Sequence, residues 1–119
     1  MTATIYHNPR CSKSRATLEL IQVSGVTAEI VAYLDDPPPA ERIHELATLL
    51  GLPVAGLLRK NEDVFRSATD LPALDDDKAL AGWIAAHPRA LQRPIVVDDD
   101  KGVAIVGRPP EDVRELLPS

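Results

Sequence analysis

Sulfur and aromatic side chains are scarce in this sequence: among 119 residues there is one cysteine, Cys11, with one tryptophan, one phenylalanine and two tyrosines. A lone thiol closes no disulfide within the chain, so packing has to hold the fold, and a reducing compartment is the expected one. No stretch approaches the roughly 18 apolar residues of a membrane-spanning helix. The opening MTATIYHNPR lacks the basic start, apolar middle and small-residue cleavage site of a secretory signal, which makes the cytoplasm the expected location. Positive charge is also in deficit, with 13 basic residues against 18 acidic and a net charge of -5. Such a chain repels polyanions, so neither a nucleic acid nor a membrane surface is expected as partner. Histidines only at 7, 44 and 87 give no zinc cluster, and the aspartate triplets 75–77 and 98–100 lack calcium-loop spacing, so no metal is expected.

What is present is the composition of an ordinary globular domain, 45% hydrophobic and 26% charged. One domain over residues 1–119 is the expectation. The strand formers of ATIYH, residues 3–7, predict a first strand that Asn8 and Pro9 stop. Ala16, Leu18, Leu20, Ile21 and Val23 mark a helix over 12–24 that Gly25 ends. AEIVAY, residues 28–33, predicts a second strand parallel to the first, because a helix intervenes. Ile43, Leu46, Ala47 and Leu50 fall at helical spacing before Gly51, and PVAGLL predicts a shorter helix. Asp75 is a candidate cap for a helix placing Leu80, Trp83, Ile84 and His87 on one face until Pro88. RPIVVDDDKGVAIVGRPPEDVRELL then reads as strand, reversal at Lys101-Gly102, strand, and a helix beginning at Pro109-Pro110. The order βαβ, helices, ββα describes an α/β, thioredoxin-like fold: a mixed four-stranded sheet with a helical insertion at approximately 39–88.

Cys11 sits at or just before the first helix. A free thiol has a pKa of about 8.5, so a reactive thiolate needs help. The helix start offers unpaired N–H groups and partial positive charge, Arg10, Lys13 and Arg15 add field, and His7 can supply a hydrogen bond or a charge. The same N–H groups suit a bound tetrahedral oxyanion, with the hydroxyls of Ser12 and Ser14 as added donors. Most lone cysteines are small buried residues, and position alone leaves that alternative open. Ser14 stands where a CxxC redox pair has its second cysteine, so a redox cycle at Cys11 must borrow an external thiol. Arg59 of LLRKN, Arg93 of QRPIVV and Arg108 of GRPPE flank apolar runs or turns; their planar guanidinium forks match an oxyanion, though each also reads as solvent-facing charge.

Taken together and in order, YHNPRCSKSR, LLRKN, RPIVV and GRPPE resemble the glutaredoxin-coupled arsenate reductase (ArsC) family, over almost the whole chain. Arg10 and Lys13 around the cysteine make the sequence most similar to the YfgD-like branch. The resemblance implies a thioredoxin fold in which Cys11 attacks arsenate and is helped by His7 and Ser14. It implies oxyanion binding by Arg59, Arg93 and Arg108, and a cis peptide before Pro94. It also implies glutathione as co-substrate, glutaredoxin as protein partner and no bound cofactor. Two alternatives accompany it: a Spx-like regulatory adaptor for RNA polymerase, against which Ser14 in place of a second cysteine argues, and a glutathione-linked thiol oxidoreductase with another substrate.

Overall fold

The strand-forming run ATIYH is buried along its whole length and forms β1 (Ala3–His7). The structure, a computed structural model, describes residues 1–118. β1 is followed by α1 (Ser12–Val23) and β2 (Ala28–Ala32), then by α2 (Ala40–Leu50), α3 (Asp63–Arg66) and α4 (Asp77–Ala86), and finally by β3 (Ile95–Asp98) and β4 (Val103–Val106). Short 3-10 turns at Val54–Leu57, Pro88–Ala90 and Pro110–Glu115 complete the elements.

The chain divides into two compact units, residues 1–33 with 93–119 and residues 34–92. In the first, the four strands form one mixed sheet in the order β2-β1-β3-β4. β2 runs parallel to β1, as the intervening helix requires, with Ile5 opposite Ile30 and His7 opposite Ala32. β3 runs antiparallel to both β1 and β4, with Ile5 opposite Val96 and Val96 opposite Ile105. Ile5, Val96, Ile21 of α1 and Val113 of the last 3-10 turn form a fully buried core, lined by Leu18, Leu20, Val26 and Ile105. Because side chains alternate along a strand, the face of β1 that carries Ile5 into this core also carries His7 toward α1.

In the second unit, α2 packs on α4 through Ile43, Leu46 and Ala47 on one side and Leu80, Ala81 and Ile84 on the other, all buried. Gly51 ends α2 at φ 69°, a conformation glycine adopts without strain. An antiparallel bridge joins Leu58 to Leu91, flanked by hydrogen bonds from Arg59 N to Ala90 O and from Gln92 N to Leu57 O, each 2.7 Å. Trp83 donates from its indole to Asp70 at 3.1 Å and stacks on His87 with ring centroids 4.4 Å apart.

Three expectations from the sequence are corrected. Asp76, not Asp75, caps α4, its carboxylate accepting from Ala79 N at 3.2 Å; three consecutive aspartates are locally equivalent, and the start of the helix selects among them. The closing segment is six residues of 3-10 turn rather than an α-helix. α3 is an additional element, four residues long and with nothing buried, too short for any apolar period to announce it. Among the described residues no helix is long and apolar enough to cross a membrane.

Candidate active site

β1 stops at a four-residue turn. Cys11 N donates to Asn8 O at 3.0 Å, with Pro9 at the second position, where its fixed φ favours the turn. The Asn8 side chain accepts from Arg10 N at 3.0 Å, and Arg15 reaches back to donate to Pro9 O at 3.0 Å. Cys11 is thereby the N-cap of α1, in extended conformation, with Arg15 N donating to its carbonyl as the first helical bond. The next two free N–H groups a cap side chain can reach are those of Lys13 and Ser14.

The sulfur is half-buried. Burial raises its pKa, but the Ser14 N–H, a hydrogen bond and charge from the Arg93 guanidinium, and the Lys13 N–H outweigh that, so the thiol lies below its ordinary range. The Cys11 side chain makes no cap hydrogen bond of ordinary geometry. These donors face the sulfur and favour the thiolate.

His7 and Ser14 meet beneath this turn. Nδ1 of His7 and Oγ of Ser14 are hydrogen-bonded at 2.6 Å, and Asn8 N donates to the same Oγ at 3.0 Å. His7 and Asn8 are each 8% exposed and Ser14 is fully enclosed. The expectation that the Ser14 hydroxyl donates to a bound oxyanion is therefore corrected. That hydroxyl is committed to His7 and Asn8, and Ser14 serves the sulfur through its main-chain N–H. Burial first, and then the charge of Arg15, lowers the His7 pKa from its ordinary 6.5, which favours a neutral hydrogen-bonding ring over a cation.

Pro94 follows a cis peptide bond, as expected, and a second cis bond precedes Pro109, which the sequence reading did not include. Gly107 N donates to Pro94 O at 2.9 Å, and the Arg108 guanidinium donates to Arg93 O at 3.3 Å. Arg93, Pro94 and Arg108 are thus one local assembly, with Arg93 directed at Cys11. Arg59 belongs to the 34–92 unit, where its guanidinium pairs with Glu62 at 2.7 Å.

This chain matches the ArsC family over residues 6–116. It belongs to the ArsC family. An arsenate reductase of Neisseria meningitidis serogroup A is 46% identical over 115 residues, covering 95% of this chain and 96% of that protein. The uncharacterized protein YfgD of Escherichia coli is 41% identical over 114 residues, covering 95% and 94%. The solved structure of an arsenate reductase from Vibrio cholerae superposes with a TM-score of 0.85 at 39% identity, covering 98% of each chain. The mixed sheet and helices of this ArsC chain are those of its structural neighbours, and the thioredoxin-like reading of the fold holds.

Sequence reasoning passed over three residues of this ArsC site. Asn8 fixes the turn with its side chain and Ser14 with its N–H. Thr17 is fully buried and Gly107 lies against it. The signal for Asn8 was available, since Asn-Pro is a common turn opening. Thr17 and Gly107 are 90 positions apart, and nothing local marks either.

The buried neutral His7 carries a stability consequence. Its folded pKa is below the ordinary 6.5, so between the two values the unfolded chain binds more protons than the folded one. Stability contributed by His7 is therefore whole above pH 6.5 and is lost as pH falls through that value toward the folded one. Melting temperature measured from pH 8 to pH 5 should fall on the acid side in the parent, and less steeply in His7→Asn, whose amide does not titrate. Parallel profiles for the two proteins would refute the assignment.

Proposed function

We propose that the chain reduces arsenate to arsenite with glutathione and glutaredoxin, using Cys11 as its one nucleophile. The observation that carries this reading is the placement of the Cys11 sulfur at the N-cap of α1 with the Arg93 guanidinium beside it, an arrangement that favours a thiolate and an oxyanion alike. Relatives at 46% and 39% identity over nearly the whole chain are arsenate reductases.

The chemistry needs only thiols and protons. The Cys11 thiolate attacks arsenic, an As–O bond breaks, and the oxygen leaves as water to give an S–As(V) ester. Glutathione displaces a second oxygen as water, so arsenic carries both sulfurs. A glutaredoxin thiol then attacks the glutathione sulfur. The S–As bond breaks with its electron pair remaining on arsenic, which is reduced to As(III), while the two sulfurs are oxidised to a mixed disulfide. Water releases arsenite and a proton returns to Cys11. With no second cysteine in the chain, the two external thiols supply both electrons.

Arg93 and Arg108 take the oxyanion's oxygens in this scheme, because a guanidinium fork matches two oxygens of a tetrahedral anion and keeps its charge at every working pH. The His7–Ser14–Asn8 cluster holds the turn in which the sulfur sits.

The test is a coupled assay with glutathione, glutaredoxin, glutathione reductase and NADPH. One NADPH should be consumed per arsenite formed, and omitting either glutathione or glutaredoxin should return the rate to background. A complete mixture in which arsenate elicits no NADPH consumption would refute the reading.

A further inference from the structure

Thr17 lies in the second turn of α1 and has no exposed surface. Its hydroxyl donates to Lys13 O at 2.8 Å and makes a longer second contact, as donor, to Gly107 O at 3.4 Å. The Lys13 carbonyl and the Ser14 N–H belong to one peptide group, and Ser14 is the third residue of the helix that Cys11 caps, where a main-chain N–H lies within reach of the cap side chain; that N–H also favours the thiolate. A hydrogen bond accepted at a carbonyl polarises the peptide and makes its N–H a better donor, so the bonds in such a chain strengthen one another.

The same chain offers an internal comparison. Thr48 makes an equivalent bond to His44 O at 3.2 Å, but it is exposed on α2. That is the ordinary back-bonding of a helical threonine. Thr17 differs in being enclosed by the segment that carries the other site residues: a Cβ built on Gly107 would lie 2.5 Å from Thr17 Oγ1, 3.0 Å from its Cγ2 and 2.9 Å from Pro94 Cγ.

We infer that Thr17 is a positioning residue of the Cys11 site: its buried hydroxyl fixes and polarises the Lys13–Ser14 peptide whose N–H faces the sulfur, and its methyl group seats α1 against Gly107. The inference rests on Cys11 as the working nucleophile, but it is tested on the thiol with no arsenate present. A chain that alkylates as expected yet reduces no arsenate would fail the substrate reading and leave this one standing.

The experiment is the rate of Cys11 alkylation by iodoacetamide against pH, unambiguous because the chain has one cysteine. Thr17→Ser, which keeps the hydroxyl, should retain the parent profile. Thr17→Val, which keeps the shape, should shift the midpoint upward by about half a pH unit and slow alkylation roughly threefold below it. A folded Thr17→Val with the parent profile would overturn the inference, as would a Thr17→Ser shifted equally far. Should the valine variant not fold, nuclear magnetic resonance on the parent decides the matter. A slowly exchanging Thr17 hydroxyl proton coupled to the Lys13 carbonyl carbon is expected, and one exchanging at the solvent rate would overturn it.

Discussion

Exchanging Cys11 for serine should abolish arsenate-dependent NADPH consumption, a loss of at least about 10⁴-fold on the scale of removing a catalytic nucleophile. The folded chain should be no less stable. Serine has nearly the same shape and is among the preferred N-cap residues, so α1 begins as well or better with it. What it lacks is acidity: the N–H groups of Lys13 and Ser14 and the charge of Arg93 favour a thiolate, but they act on a hydroxyl far too weakly acidic to ionise. Rate and melting temperature measured together separate the outcomes. Arsenate-dependent turnover in the serine variant would remove Cys11 from the mechanism. A melting temperature far below the parent's would make the lost activity a folding defect.

Gly107→Ala should be the most destabilising single-methyl change in the site, by about 3 kcal/mol, the upper part of the usual range for overpacking. For a chain of this length that corresponds to a fall of roughly 10–15 °C in melting temperature. The added carbon would meet Thr17 Oγ1 at 2.5 Å and Pro94 Cγ at 2.9 Å. Thr17 is buried within a helix and the proline ring is rigid, so neither neighbour can turn aside. Relief must come from moving the 107–108 backbone, which carries Arg108 and bonds Pro94 O, and the Cys11 alkylation rate at neutral pH should fall as well. The same change in a Thr17→Ala background should cost less, because two of the three close contacts are then gone. A Gly107→Ala protein melting with the parent would contradict the packing described.

How much of this was legible in the sequence depended on the range of the interaction that decides each feature. β1, α1 and β2 could be placed because strand formers, apolar spacing and Gly25 are local signals, and the parallel pairing follows from connectivity alone. The helix-start N–H groups at Cys11 were legible for the same reason, since they lie within a few residues, whereas the charge beside the sulfur is that of Arg93, 82 positions away, and not that of the flanking Arg10, Lys13 or Arg15. Asp75 and Asp76 could not be told apart, because capping is chosen by where α4 begins and not by residue type. The final segment kept the composition of a helix start, with two prolines followed by acids, yet formed only a 3-10 turn. The burial of Ser14 and the packing of Thr17 on Gly107 depend on contacts up to 90 positions apart, and composition near either residue carries no trace of them.

The bond from the Arg108 guanidinium to Arg93 O has an entropic meaning. A long side chain ordered only when its ligand arrives charges about 0.5–1.5 kcal/mol against affinity. Arg108 is already tethered by one of its N–H groups to the main chain of the neighbouring arginine, so part of that ordering belongs to folding, and in the proposed reaction the remaining donors are the ones available to the oxyanion. A small entropy loss on oxyanion association, read by titration calorimetry, is the expected mark of such a preorganised pair.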